Sequence, residues 1–424
     1  MTDIAQSLPP AAANRALNAY LAAAAVWIGV FLSGFVLSEP APYELIMTGM
    51  IGIWIMLGMV IPRSVMAMFV LLILFNAGGV IATTQLTEQL SDAVLYVAVS
   101  AFLALTAVFY ASVIATKRSM LAIIFNGWTA GAVVTGLAGI VGYFDVFPGS
   151  DIFTLYGRAK GMFADPNVLA PYLALPILFG MHTVMTGRAR QIVLTLPILM
   201  ILLLALFLSF SRAGWGLLIV CTVLLAGGLF LGNSSGRFRL RIVLMTVFAF
   251  TAVAAVVIVA LQFDAVQDLF VQRARLLQDY DAARMGRFER HWAGYVKATE
   301  LPLGLGPLAF GRLFGEDPHN IWLKSLYAYS WLGFAAYLTL VLLTLGGGFR
   351  ILFRHRPWQP YLLCAYIVFL GHVLIGNVID TDHWRHFYML LGIIWGCIAL
   401  EARHMRDAQK RKMVGAAGFE PTTP

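Results

Sequence analysis

Residues 191–231 read QIVLTLPILMILLLALFLSFSRAGWGLLIVCTVLLAGGLFL, and Arg212 is the one charged side chain among them. A helix that crosses a bilayer needs about 20 predominantly apolar residues. This stretch supplies two such runs, 191–209 and 212–231, with a turn between them. The whole chain is written in the same way: 60% of its 424 residues are hydrophobic and 12% are charged. A soluble domain carries about 25% charged residues and could not hide so much apolar surface. The solvent for this chain is lipid.

Further apolar runs lie near 16–38, 43–61, 64–82, 93–115, 119–142, 168–186, 240–261, 321–345, 359–379 and 386–401. The expected fold is an all-α polytopic bundle of about twelve transmembrane helices, one domain over 1–401. The first run is long enough to stay in the membrane as a span. Residues 402–424 read as a disordered cytoplasmic tail. Cys221, Cys364 and Cys397 all fall inside apolar runs and read as small core residues.

Charge fixes the expected orientation. With the N-terminus in the cytoplasm, the inside segments hold Arg15, Arg63, Lys117, Arg118, Arg188, Arg190, Arg237, Arg239, Arg241, Arg350, Arg354, Arg356 and the basic tail from Arg403. The short outside loops near 39–42 and 83–92 hold no Lys or Arg. Short basic loops inside and short loops without Lys or Arg outside are the positive-inside pattern. The chain is therefore expected as a multi-pass inner-membrane protein with both termini cytoplasmic. The net charge of +8 is accounted for in this way and does not call for nucleic acid.

The basic residues left over are concentrated in two longer outside segments, 143–167 and 262–320. They are either solvated loop charge or a site for an anionic ligand. Segment 262–320 has helical apolar spacing over 265–280 and 284–299, including Leu269, Leu276, Leu277, Phe288, Trp292 and Tyr295. Two helices lying on the membrane surface are expected there, followed by a turn-rich link at Pro302–Pro307.

Four segments at the outer face stand out. They are Arg158-Ala-Lys-Gly161-Met-Phe163-Ala-Asp165-Pro166-Asn167, Ser211-Arg212-Ala213-Gly214-Trp215, Arg284-Met-Gly-Arg287 with Trp292, and Asp317-Pro318-His319-Asn320. Asp165-Pro166 and Asp317-Pro318 each read as an N-cap followed by proline at the first helical position. Ser211 can cap the helix opened by Arg212. Three helix N-termini then face one side, each with free N–H groups and a partial positive charge. Arginines beside such ends can hold an anion, or can simply reach to lipid headgroups. His319 is expected in the first turn of the late helix, with arginines around it. It is either a structural histidine or a neutral imidazole that accepts a proton near pH 7.

The order of these motifs resembles the bacterial O-antigen ligase and polymerase superfamily. The matching residues are Arg158, Gly161, Phe163 and Asn167, then Ser211-Arg212-Ala213, then Arg287 with Trp292, then His319-Asn320. The resemblance covers roughly 143–345. It implies a metal-independent glycosyl transfer at the periplasmic face, with no cofactor. The donor would be a glycan on undecaprenyl diphosphate. The acceptor would be a sugar hydroxyl, on lipid A–core for a ligase or on a second lipid-linked unit for a polymerase. Arg212 and Arg287 would hold the diphosphate, and His319 would serve or orient the acceptor hydroxyl. Arg158, Asn167 and Asn320 would assist in binding. Arg284 rivals Arg287, since both share one helical face with His291.

Residue chemistry is compatible with that implication. A sugar–diphosphate bond breaks by loss of an anion, and planar guanidinium forks can stabilise the charge as it grows. The nearest approach to a metal cluster, Asp380, Asp382, His383 and His386 in a short outer loop, reads as a polar cap on the last two helices. A transporter of lipid-linked sugars would place charges at mid-membrane and break helices there, whereas mid-span positions here are almost free of charge.

Overall fold

The computed structural model describes residues 10–262, 267, 270 and 286–416. Helices dominate, because in lipid a backbone must satisfy its own hydrogen bonds. In chain order they are α1 (Pro10–Leu32), α2 (Pro42–Met56), α3 (Met66–Thr83), α4 (Leu90–Thr116), α5 (Met120–Tyr143), α6 (Pro166–Thr186), α7 (Ala189–Leu208), α8 (Arg212–Leu231) and α9 (Gly236–Ala260). Then come α10 (Arg287–Glu300), α11 (Ala309–Phe314), α12 (Ile321–Ala328), α13 (Ser330–Leu352), α14 (Gln359–Ile375) and α15 (Arg385–Ala416). A two-stranded antiparallel ribbon, Thr154–Leu155 with Arg158–Ala159, is the one sheet among the described residues.

Eight helices among the described residues are long and apolar enough to cross a membrane, and α2 and α14 are apolar but shorter. The expected runs 240–261 and 386–401 are helical too, within α9 and α15. The chain is thus an all-α, membrane-embedded bundle. Its centre is α4, α6, α14 and the first half of α15, while α7 and α8 expose most of their apolar surface. Helix α15 lies along α4. Gly392 and Gly396, one turn apart, face Ala107–Tyr110 and Ile114 so closely that a Cβ at either would collide with them. Small residues at this spacing let two helices approach where no water drives them together.

The structure departs from the expected elements in three places. The run 321–345 is not one helix: it breaks between α12 and α13, where Ser330 takes a left-handed φ of 62°. The cap of α12 is Asn320, whose side chain accepts from the Leu323 N–H, so His319 precedes the helix and Asp317 is not its cap. Residues 402–416 are not a loose tail but the end of α15. They are rich in Ala, Arg, Lys, Gln and Met, good helix formers, and contain no proline. Of the two expected surface helices, 284–299 corresponds to α10, whereas 265–280 falls largely outside the described residues.

The helix ends form two rims. One joins α6 to α9 through Arg241 and the Val184 carbonyl, and joins the α13–α14 loop to α15 through Arg354, Arg356 and Glu401. The other joins α1 to the 158–165 segment through Val36 N and Met162 O, α2 to α15 through Glu44 and Arg385, and α4 to the α14–α15 loop through Tyr96 and Asp382. The short basic loops sit at the first rim. The described parts of all four motif segments sit at the second. There the link 301–308 packs down, with Leu305 and Gly306 N–H groups on the Tyr327 carbonyl. Gly304 and Gly306 have φ of 83° and 97° and leave no room for a Cβ.

Candidate functional site

The first two motifs meet at the turn between α7 and α8. Asp165 caps α6 by accepting from the Asn167 N–H at 2.6 Å. This fixes the Asn167 side chain, whose Oδ1 accepts from Arg158 at 2.9 Å. The buried Arg158 also donates through Nε to the Ser209 carbonyl at 2.8 Å. Phe210 follows in left-handed backbone, φ 46°, wedged against Tyr143, Phe207 and Trp215. Ser211 caps α8 by accepting from the Gly214 N–H at 3.2 Å, and the half-buried Arg212 opens that helix.

The last two motifs meet around His319. On α10, Arg290 pairs with Glu316 at 2.6 Å, His291 Nε2 bonds the Pro318 carbonyl, and Tyr295 reaches Asn320 Oδ1 at 3.4 Å. Asn320 Nδ2 donates to the Asn377 carbonyl at 3.1 Å, and the Ile321 N–H bonds the Gly376 carbonyl at 2.8 Å. These contacts leave His319 at φ 48°, its ring 40% exposed at the rim. Its Nε2 lies 3.5 Å from Glu316 Oε1 and its Nδ1 lies 3.8 Å from Asp380 Oδ2. Among the described residues the charged groups within 4 Å of it are carboxylates, with Arg290 one step away on Glu316; of the arginines expected there, Arg284 and the Arg287 side chain lie outside the described residues.

Beneath His319 lies a buried ionic cluster. Lys324 Nζ is 3.3 Å from Asp380 Oδ2 and 3.6 Å from Asp382 Oδ1, and sits over the Tyr96 ring. Asp382 also accepts from Tyr96 at 2.5 Å and Tyr329 at 3.1 Å, and pairs with His383 at 3.2 Å. Burial works against the charge of Asp382, but Lys324, His383 and the Tyr96 hydroxyl outweigh it and hold the carboxyl well below the usual carboxylate range. Asp380 goes the other way. Burial pushes its carboxyl up, the charge of Asp382 adds to this, and Lys324 offsets only part of it. Glu316 is held below its ordinary value because Arg290 and His319 outweigh its partial burial.

The motifs are therefore paired two by two: Arg158, Asn167 and Arg212 at one helix start, His319 and Asn320 at another. Helix α14 lies between, packing Gly371 on Leu217 of α8 and ending at Gly376 on Ile321. Arg287 opens α10, but its side chain lies outside the described residues, as does the whole of Arg284. Trp292 is 72% exposed. Asn320 spends its side chain on the cap and on Asn377, and Asn167 on Arg158. Sequence reasoning missed Lys324, Glu316 and Asp380 as neighbours of His319. A lysine within the apolar run Ile321–Leu326 was the available signal, because a buried lysine needs a carboxylate partner.

Chemically, the rim offers a half-exposed imidazole backed by carboxylates, and on the same rim a helix start that carries an arginine. No family model matches the chain, and no curated protein matches it.

Proposed function

We propose that the protein is a membrane glycosyltransferase of the ligase type. It moves a glycan from a polyprenyl-diphosphate donor to a sugar hydroxyl, such as one on lipid A–core. In this reading about twelve helices span a bacterial inner membrane, both termini are cytoplasmic and the motif rim is periplasmic. The observation that carries it is His319, held half-exposed by contacts from α10 and the α14–α15 loop on the same rim as the Arg212 helix start.

The reaction needs little else. The acceptor oxygen attacks the anomeric carbon, the bond from that carbon to the diphosphate oxygen breaks, and the electron pair leaves on the diphosphate. Arg212 and Arg287 stabilise that growing charge. The acceptor proton passes to His319 Nε2, while Asp380 faces Nδ1. The acidic pair Asp380 and Asp382 is already countered by Lys324, which favours a metal-independent reaction.

Polymerisation uses the same donor chemistry with a second lipid-linked unit as acceptor. Proteoliposomes given a labelled polyprenyl-diphosphate glycan and either lipid A–core or a second lipid-linked unit test both. Labelled lipid A–core supports the ligase. Labelled longer glycan on lipid carrier instead supports the polymerase. Release of no diphosphate with either acceptor overturns glycosyl transfer.

A further inference from the structure

Asp380, largely buried, and the buried Asp382 and Lys324 stand under His319, and the transfer reaction uses only one of the three. Asp380 and Asp382 come from the α14–α15 loop, and Lys324 from α12. Side-chain exposure is 15% for Asp380, 1% for Asp382 and 9% for Lys324. Such groups are costly to bury unless each charge is answered. Asp382 is answered several times over, by Lys324, His383, Tyr96 and Tyr329. Asp380 is answered by Lys324 on one oxygen, while its Oδ1 is buried without a hydrogen-bond partner among the described residues. That same Lys324-bound oxygen, Oδ2, is the one that faces His319.

We propose that Lys324 is a positioning residue for His319. It cancels one of the two buried carboxylate charges, so that a single net negative charge stands behind the imidazole. The catalytic consequence rests on the transferase reading above; the electrostatic arrangement does not.

Among the described residues the charged groups that bear on His319 come from two segments. Glu316 and Asp317 come from the segment before α12, with Arg290 acting through Glu316 and His291 through the Pro318 carbonyl. Asp380 faces it from the α14–α15 loop, Asp382 and Lys324 act through Asp380, and His383 acts through Asp382. Removing Lys324 leaves two negative charges behind the ring, and neutralising Asp382 leaves none. Removing both restores one. A purely structural lysine gives no such pattern, since loss of packing does not change sign between the two variants.

Three variants test this in the full-length, detergent-purified protein: Lys324→Met, Asp382→Asn and the double substitution. The readout is the rate at which diethyl pyrocarbonate modifies His319, followed by mass spectrometry from pH 5 to 9. The reagent attacks neutral imidazole, and the half-exposed ring is accessible to it. The pH of half-maximal rate is expected to move up in Lys324→Met, down in Asp382→Asn, and back to the wild-type position in the double variant. With Lys324→Met the transferase rate near neutral pH should fall in proportion to the neutral fraction of His319 that the same midpoints give, and recover as pH is raised. If Lys324→Met does not fold, Asp382→Asn and the double variant decide the matter alone. Midpoints that stay in place, or that move in the same direction in both single variants, overturn the proposal. If the variants show the midpoint pattern but the wild-type protein transfers no glycan, the electrostatic inference stands and the transferase reading fails.

Discussion

Phe210 and His319 hold the same position at two different helix starts. Each is a non-glycine residue in left-handed backbone, one residue before the side chain that caps the helix. Each also follows a carbonyl that a distant side chain grips, Ser209 by Arg158 and Pro318 by His291. Left-handed backbone costs roughly 1–2 kcal/mol for such residues, and it persists where the surroundings over-determine it. In both places the outcome is a helix that begins with a candidate functional residue at the rim: Arg212 just inside α8, His319 just outside α12.

Arg158 should therefore matter to the fold as well as to the site. Arg158→Ala leaves the Ser209 carbonyl and Asn167 Oδ1 without their partner and frees the Phe210 turn. A loss of about 1–3 kcal/mol is expected for stranding buried polar groups, read as a lower unfolding temperature in detergent. An unchanged unfolding temperature would remove the turn-fixing role.

Arg212→Lys and Arg287→Lys should keep the fold and lose rate. Lysine retains a charge but not the planar fork that grips two phosphate oxygens. Removing one transition-state donor costs on the order of 10²–10³-fold, and turnover of labelled donor measures it. Wild-type rates for both variants would rule out a diphosphate clamp at these positions.

Sidedness is directly measurable, because Cys221, Cys364 and Cys397 are buried and give little background. Tyr156 is 80% exposed at the motif rim, and Arg403 is exposed at the opposite one. Tyr156→Cys should react with an impermeant maleimide in cells whose outer membrane alone is permeabilised. Arg403→Cys should react only after the inner membrane is broken. The reverse pattern would invert the proposed topology.

Acid stability should depend on the buried pair with opposite signs. The Asp382 carboxyl lies below its unfolded value of about 3.9, so its contribution is present above that pH and is lost as pH falls through and below it. Asp382→Asn should flatten the fall in unfolding temperature from pH 5 to 3. The Asp380 carboxyl is raised, so its ionisation weakens the fold as pH rises above about 4. Asp380→Asn should steepen the acid-side fall. Parallel curves for both variants would contradict the assigned directions.

Much of this was legible in the sequence where the physics is local. Apolar runs gave helices, and Asp165 and Ser211 were readable as caps because each precedes its helix by one residue. Asp317-Pro318 carried the same signature yet does not cap. A tertiary bond from the Ile321 N–H to the Gly376 carbonyl and the Asn320 side chain take over that helix start. The break at Tyr329–Ser330 has no glycine or proline to announce it. The Lys324 cluster was illegible for another reason: Asp380 and Asp382 lie more than fifty positions away, and no local pattern encodes such a pairing.

The most direct test of the central claim compares wild type with His319→Ala and His319→Gln in proteoliposomes supplied with labelled polyprenyl-diphosphate glycan and acceptor. General base help is worth about 10²–10⁴-fold. Both variants should fall by that order with donor binding nearly intact, since glutamine keeps a hydrogen bond but cannot take the proton near neutral pH. Retention of most activity by the glutamine variant alone would make His319 a positioner of the acceptor. Retention by the alanine variant would contradict the site assignment outright.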